Sequence, residues 1–253
     1  DDSLNAIIQD YTREPGIRNL ERRIATICRK LARESLRNDA CGETVTITPA
    51  LVERYLGKKK FHFEVIEEQD RIGVATGLVR TESGGEIIFV EAAKMKGKKE
   101  LIITGSLGDV MRESAQAALS YIRSNADSLG IPDDFFEHQD IHIHVPSGAI
   151  QKDGPSAGIT IFAALVSLLT GRPARRDVAM TGEITLTGRI LPVGGIQDKV
   201  LAARRAQVRT VLVPARNRAD VDELSDDLKK DIDIRLVDSV IEVPDIVFGG
   251  RAG

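Results

Sequence analysis

Residues 153–169 read DGPSAGITIFAALVSLL, a short turn-like segment followed by an almost continuous apolar run. A helix that is apolar on nearly every side must be buried inside a domain core. Pro155 suits the first turn of such a helix, because its missing N–H would have no partner there. Gly154 allows an unusual backbone angle just before it. The stretch therefore predicts a buried helix with Ser156 at its mouth.

Ser156 is a candidate nucleophile because of this position. Unpaired amides at a helix N-terminus attract negative charge, so they can stabilise the oxyanion that forms when a serine oxygen attacks a carbonyl. Ala157 and Gly158 are expected to leave room for a substrate backbone. The alternative is that Ser156 only caps the helix, which is the commoner role of a serine at a helix start.

Lys199 is the candidate base. A helix is predicted over residues 194–206, and Lys199 lies on its apolar face. The residues that define that face at helical spacing are Ile196, Val200 and Ala203. Burial lowers the pKa of a lysine, and a neutral amine can then accept the proton of a serine hydroxyl near pH 7. The alternative is that the amine extends to water, and sequence spacing alone does not place Lys199 beside Ser156.

Five blocks occur in the order and spacing of one known family. They are TGSLG at 104–108, IHIHVP at 141–146, KDGPSAG at 152–158, TGEITL at 181–186, and GG at 194–195 followed by KVLAA at 199–203. Together they resemble the peptidase domain of Lon, the ATP-dependent protease, from about Arg71 to near the C-terminus. The resemblance implies an α+β chain in which a small helical AAA+ lid domain precedes a mixed α/β peptidase domain.

The resemblance also implies roles for individual residues. Ser156 would be the nucleophile and Lys199 the general base. Thr181 would hydrogen-bond the lysine, and Asp153 would lie close enough to tune or block the site. Glu91 matches an acidic position of the family near the site.

Some positions depart from the commonest family pattern. Gln151 replaces a frequent proline, and Gln197 with Asp198 replaces a frequent basic-acidic pair ahead of the base. These changes flank the Ser-Lys pair, so they affect the expected substrate preference more than the expected activity. The Lys152-Asp153 form resembles the soluble bacterial and mitochondrial branch of the family.

The N-terminal part has a different pattern. Helical spacing is shown by Ile17, Leu20, Ile24, Ile27 and Leu31. Residues 44–48 alternate like a short strand, and Thr48 with Pro49 predicts a capped helix after them. Residues 11–22 are similar to the lid of the Lon ATPase. In that family the residue matching Arg18 senses the nucleotide, so the resemblance implies this role for Arg18. The alternative is that Arg18 forms an ion pair with Glu14 or Glu21. The expected domains are 1–66, the lid with its linker, and 67–253, the peptidase.

A phosphate-binding loop of the form GxxxxGK[ST] is absent from the sequence, so we expect no ATP hydrolysis by this chain. Peptide cleavage should need no cofactor, whereas the full-length family uses ATP and Mg. The sequence starts at Asp1 within a family-like module. We therefore expect a fragment that contains the lid and the peptidase domain but not the part of the ATPase that binds the nucleotide phosphates.

Composition narrows the function classes. The net charge of −3 argues against a dominant nucleic-acid surface. The lysine run at 94–99 indicates the solvent-exposed tip of a hairpin. The alternative is that these lysines make a weak contact with DNA or a polypeptide. Two cysteines do not make a disulfide framework, no apolar stretch would span a bilayer, and no signal peptide is visible, so we expect a cytoplasmic protein.

The remaining pattern predicts the peptidase elements. Strands are expected at 72–80, 86–93, 101–104, 141–145, 178–191 and 211–213, with a long helix at 109–129. His142 and His144 share one strand face, and without a third ligand we expect a polar face and no metal site.

Partners and function come chiefly from the resemblance. It implies a homohexameric ring that degrades unfolded or damaged proteins in stress response and quality control. The alternatives are a noncatalytic Lon-like binding module, which should lack the Ser-Lys pair, and a phosphate-binding enzyme that uses the Gly154 loop.

Overall fold

The computed structural model describes residues 1–12, 16–37, 44–60, 69–82, 84–105, 107–146 and 154–249. The chain forms two compact units. The first takes Asp1–Glu64 with Glu82–Gly84, and the second takes Val65–Thr81 with Gly85–Gly253. The domain limits 1–66 and 67–253 remain a proposal.

The first unit is a small helical bundle. Its helices are α1 (Asp2–Tyr11), α2 (Arg18–Arg37) and α3 (Pro49–Leu56). Their shared core consists of Ile7, Tyr11, Ile27, Val52 and Tyr55. The predicted cap of α3 is present, because Thr48 Oγ1 accepts a hydrogen bond from the Leu51 amide at 3.3 Å. Each helix contributes one apolar stripe to this core, as the helical spacing predicts.

The strand expected at residues 44–48 does not form, and this prediction was wrong. The Ile47 carbonyl accepts a hydrogen bond from Ser3 Oγ at 2.5 Å. A main-chain group that bonds to a side chain of α1 is not available for a strand ladder. Alternation over so few residues therefore marked an extended segment without a partner strand.

The second unit is built on a seven-stranded mixed sheet with the order β3-β4-β2-β1-β5-β8-β9. Its strands are β1 (Val74–Thr81), β2 (Gly84–Lys96), β3 (Leu101–Thr104), β4 (Gln139–His144), β5 (Val178–Met180), β8 (Thr210–Pro214) and β9 (Asp233–Val237). A separate two-stranded sheet joins β6 (Glu183–Ile184) to β7 (Ile190–Leu191). The run β1-β5-β8-β9 is parallel, whereas β4 is antiparallel to β2.

The helices of this unit are α4 (Asp109–Ser124), α5 (Ala126–Leu129), α6 (Gly158–Thr170), α7 (Ile196–Arg205), α8 (Arg218–Asp222), α9 (Asp226–Lys230) and α10 (Val243–Val247). They cover both faces of the sheet. Val178 and Met180 of β5 pack in the core of α4, α6 and α10, whereas Ala179 between them packs in the core of α7 and α9. Because successive strand residues point to opposite faces, α6 and α7 lie on opposite sides of the sheet.

The single long helix expected at 109–129 is broken at Asn125. The Asn125 backbone leaves helical angles (φ −132°, ψ 25°), which ends α4 and starts α5. Its side-chain Nδ2 donates to the Tyr121 carbonyl at 2.9 Å. Asparagine competes in this way with the backbone for helical carbonyls, so the apolar periodicity continues while the helix does not.

The strand expected at 178–191 is also divided, into β5, β6 and β7. The Thr181 amide still donates to Leu212 O of β8 at 3.1 Å, but the next amide, that of Gly182, donates to Ser156 O at 2.8 Å. The chain therefore leaves the sheet after Thr181 and passes the start of α6.

The lysine run at 94–99 does not form the predicted hairpin tip. Strand β4 lies between β2 and β3 in the sheet, so these two strands are not paired with each other. The connection is held by Asp140 of β4, whose carboxylate accepts the amides of Lys98 and Glu100 at 2.7 and 2.8 Å.

Candidate active site

Ser156 lies in a single 3-10 turn, Pro155–Ala157, that leads directly into α6. Gly154 precedes the turn with φ 153° and ψ 152°, a conformation that favours glycine. The Ser156 residue is half-buried, whereas α6 behind it is almost completely buried. The hydroxyl therefore sits at the mouth of a buried helix, as the sequence predicts.

The first-turn amides are less free than the sequence suggests. The Gly158 amide donates to Pro155 O. The Ile159 amide donates to Gly182 O at 3.2 Å, and Gly182 in turn donates to Ser156 O at 2.8 Å. These bonds tie the start of α6 to the segment after β5. The amides of Ser156 and Ala157, which precede these bonded groups in the turn, are the candidate donors to an oxyanion.

Gly158 does not leave room for a substrate backbone, contrary to expectation. A Cβ at this position would lie 2.8 Å from Ile184 N and 2.8 Å from Ile184 Cγ2. Glycine is needed here because β6 packs directly against the first turn of α6. The space that its missing side chain creates is filled by the protein.

Lys199 is buried on the inner face of α7, with 2% of its surface exposed. Its Nζ donates a hydrogen bond to Thr181 Oγ1 at 3.0 Å. Thr181 Oγ1 donates in turn to Ser156 O at 3.2 Å. The chain of contacts brings Ser156, Thr181 and Lys199 together, and Lys199 Nζ bonds to the threonine hydroxyl rather than to Ser156 Oγ.

The three residues meet at the carboxyl end of β5. Thr181 follows this strand directly, Ser156 comes from the side of the sheet that carries α6, and Lys199 comes from the opposite side. Carboxyl ends of parallel strands are where open α/β sheets place their functional residues. Thr181, which is fully buried, connects the two layers.

Burial changes the acidity of Lys199. Loss of hydration, and to a smaller extent the nearby positive charge of Arg80, lower the pKa of its ammonium group from 10.5 to about 8. A substantial fraction of this lysine is therefore uncharged at mildly alkaline pH. An uncharged amine can accept a proton, which an ordinary surface lysine cannot do at that pH.

Asn217 holds the segment ahead of α7 in place, a role that no pattern in the sequence predicted. Its Oδ1 accepts the Val193 amide and its Nδ2 donates to the Val193 carbonyl, both at 2.9 Å. Nδ2 also donates to Asp220 at 2.7 Å. A lone asparagine in a predicted loop carries no pattern that would reveal such long-range pairing.

The remaining predicted site residues are Glu91, Asp153 and Arg18. Glu91 lies on β2 opposite His144 of β4, and in the described structure no hydrogen bond or ion pair links it to Ser156, Thr181 or Lys199. Asp153 lies outside the described residues, as does Gln151. Arg18 is exposed in the first turn of α2 and forms no ion pair with Glu21, whereas Glu14 lies outside the described residues.

The two strand histidines form a polar cluster with a threonine. Thr104 Oγ1 lies 2.9 Å from His142 Nε2 and 2.7 Å from His144 Nδ1. No group of three or more His, Cys, Asp or Glu side chains within the described part of the chain is placed to hold a metal ion.

Among the described residues, none of the helices has the length and apolar character needed to cross a bilayer.

Comparison with protein families decides the relationship. The family described as "Lon protease (S16) C-terminal proteolytic domain" matches residues 46–249. The family described as "Lon protease AAA+ ATPase lid domain" matches residues 1–44. The chain belongs to the Lon protease family. The predicted family, fold class and enzyme class are thereby confirmed.

Curated Lon proteases are similar to the chain along nearly all of its length. Lon protease of Citrifermentans bemidjiense is 54% identical over 243 residues, which are 96% of this chain and 30% of that protein. Lon protease of Halothermothrix orenii is 50% identical over 248 residues, covering 98% of this chain and 31% of that protein. Lon protease of Aquifex aeolicus is 52% identical over 244 residues, 96% of this chain and 30% of that protein. The chain thus spans about 30% of the length of these relatives.

Proposed function

We propose that this Lon-type domain is a serine endopeptidase in which Ser156 is the nucleophile and Lys199 the general base. The observation that carries the proposal is the buried Lys199 amine, 3.0 Å from Thr181 Oγ1, which itself bonds to the main chain of Ser156. A serine hydroxyl needs a neighbouring base to become a nucleophile, and a neutral lysine can be that base.

The mechanism follows from these groups. Neutral Lys199 accepts the Ser156 Oγ proton while the oxygen attacks the peptide carbonyl, and the Ser156 amide stabilises the oxyanion. Lysine then donates its proton to the departing amine, and the C–N bond breaks to leave an acyl-enzyme. Water attacks the ester carbonyl, Lys199 accepts the water proton and returns it to Ser156 Oγ, and the free acid leaves. Lys199 Nζ donates a hydrogen bond to Thr181 in this structure, and the lone pair of the neutral amine is what accepts the Ser156 Oγ proton.

Thr181 is proposed to orient Lys199, and Asp153 and Glu91 are kept as supporting residues on the resemblance alone. An extended polypeptide would pair main chain to main chain with a strand beside the nucleophile, so that cleavage tolerates many sequences. The proteins degraded would be unfolded or damaged ones, in stress response and quality control. No cofactor is required for these steps.

For the whole protein we propose a homohexameric, ATP-dependent, Mg-using ring in the cytoplasm, the location resting on the low cysteine content. Arg18 is proposed as a nucleotide sensor. One exposed guanidinium on α2 does not fit a nucleotide by itself, because a phosphate-binding loop is absent from this sequence. The exposed Lys94 and Lys96 of β2 are the proposed site of weak DNA contact.

Degradation of an unfolded protein tests the function. The chain should degrade a permanently unfolded polypeptide without ATP and leave a stable folded protein intact. Ser156→Ala should abolish cleavage, and Lys199→Arg should reduce it by at least about 1,000-fold, because guanidinium stays charged. The matched control is Lys230→Arg, at an exposed lysine of α9, which should keep full activity.

The same assay distinguishes the proposed peptidase from the alternative, a noncatalytic binding module. Cleavage by the Ser156→Ala variant at the original rate would contradict the proposal. Binding of the unfolded polypeptide without any cleavage by the unchanged chain would favour the binding module.

A further inference from the structure

Arg80, near the end of β1, lies across the first turn of α7. Its Nε is 3.1 Å from Asp198 Oδ2. Its aliphatic arm rests on Gly195, where a Cβ would lie 2.5 Å from Arg80 Cδ. The backbone of Gly195 is left-handed (φ 72°, ψ 36°), so a larger residue there would be both strained and in collision with the arginine.

Both contacts of Arg80 are next to Lys199 along the helix. The Lys199 amide donates to Gly195 O at 3.0 Å, which closes the first turn of α7. Asp198 is the residue immediately before Lys199. Arg80 is therefore fixed to the turn that leads into the proposed base, at two residues that precede it.

Several other charged groups on and around α7 have partners of their own. Those on α7 are Arg204, paired with Asp231 at 2.6 Å, and Arg205, which donates to Gly85 O at 2.7 Å. Those on α8 and α9 are Asp220, which accepts from Asn217, Lys229, which donates to Asp222 O, and Lys230, which pairs with Asp227. Strand β8 has no titratable side chain, and Arg80 is the one on β1. Strand β2, whose Gly85 packs against Asp198, carries Glu86, which has a partner of its own, and Glu91, Lys94 and Lys96 farther along. Arg80 is the charged residue whose field acts on Lys199, and its ion-pair partner Asp198 is the residue before Lys199.

We propose that Arg80 and Asp198 are positioning residues that together set the fraction of Lys199 that is uncharged. This inference rests on the proposed role of Lys199 as the base. Arg80 disfavours a second positive charge in its neighbourhood, and Asp198 favours one. Asp198 also holds the guanidinium against α7, so the two charges act as a matched pair.

The geometry predicts shifts of opposite sign. Arg80→Gln removes the positive charge and leaves Asp198 alone, so the pKa of Lys199 should rise. Asp198→Asn removes the negative charge and leaves Arg80 alone, so the pKa should fall. Both side chains are partly exposed, at 64% and 38%, so each shift should be about half a pH unit.

The pH profile of peptide cleavage is the test. We would measure kcat/KM from pH 6 to 10 on an end-blocked, unstructured peptide that contains no Lys, Cys or Tyr. The midpoint of the rising limb should move up in Arg80→Gln, down in Asp198→Asn, and stay near its original place in Arg80→Lys and in the double variant. At about 1 M salt the shifts should shrink, because exposed charges are screened.

A second readout does not depend on activity. In the Ser156→Ala background, NMR titration of ¹³C-labelled lysine would give the pKa of Lys199 directly, with its signal assigned from Lys199→Met. The inference would be overturned if the pKa of Lys199 is the same in Arg80→Gln, Asp198→Asn and the original chain. It would also be overturned if the two variants shift this pKa in the same direction. Cleavage by Ser156→Ala would instead overturn the proposed function, so the two failures are distinguishable.

Discussion

The amine of Lys199 is held where water does not reach it, and this has a cost for folding. A lysine with a pKa of about 8 in the folded chain and about 10.5 in the unfolded chain binds fewer protons when folded between these two pH values. Stability should therefore rise as the pH rises from about 8 to about 10.5. Below pH 8 the full penalty for charging the buried amine is present.

Lys199→Met should remove this pH dependence. We expect the variant to have a higher free energy of unfolding than the original chain at pH 7. This difference should shrink by up to about 3 kcal/mol by pH 10.5. Urea unfolding at a series of pH values would measure it. Lys230→Met, at a lysine with 71% of its side chain exposed, is the matched control and should show no such trend; parallel curves for Lys199→Met and the original chain would contradict the burial argument.

At the residue scale, the sequence indicated Ser156 as a candidate nucleophile and Lys199 as a candidate base. It did not indicate that the two lie close together. Helical periodicity placed Lys199 on a buried face, and its burial follows from that. The bond to Thr181 was expected only from the family resemblance. Arg80 and Asn217 were missed, because their contacts join distant parts of the chain and leave no local pattern.

At the element scale, the start of α6 is fixed by its contact with β6. Gly158→Ala would place a methyl group 2.8 Å from Ile184 N, so backbone must shift. We expect a loss of about 1–3 kcal/mol in stability and reduced cleavage, because the same turn carries Ser156.

Gly194→Ala is the matched control for that prediction. It lies close to α7, but no atom lies within 4 Å of the added methyl. Thermal unfolding and peptide cleavage should be nearly unchanged in this variant. Equal melting temperatures for the two alanine variants would show that the packing of β6 on α6 does not constrain the turn.

Element boundaries were predicted closely for α3, α6 and α7, and the predicted cap of α3 is present. They were wrong where a local hydrogen bond overrode the periodicity. Asn125 Nδ2 takes the Tyr121 carbonyl and ends α4, and Gly182 turns the chain away after β5. Such competition depends on side-chain geometry that hydrophobic spacing does not encode.

At the scale of the whole molecule, the site depends on a sheet with helices on both faces. Thr181 at the end of β5 joins Ser156 from one layer to Lys199 from the other. The mixed α/β class was predictable, whereas the position of β4 between β2 and β3 was not, because strand order is set by contacts between residues far apart in sequence.

Covalent labelling of Ser156 is the most direct measurement of the central claim. Labelling by a serine-directed phosphonate ester, followed by mass spectrometry of the intact chain and its peptides, gives a rate that requires deprotonation of the hydroxyl. We predict modification at Ser156 alone, with a rate that rises with pH to a midpoint of about 8 and is lost in Lys199→Met. A rate that is independent of pH between 6 and 10, or unchanged labelling in Lys199→Met, would contradict a lysine base.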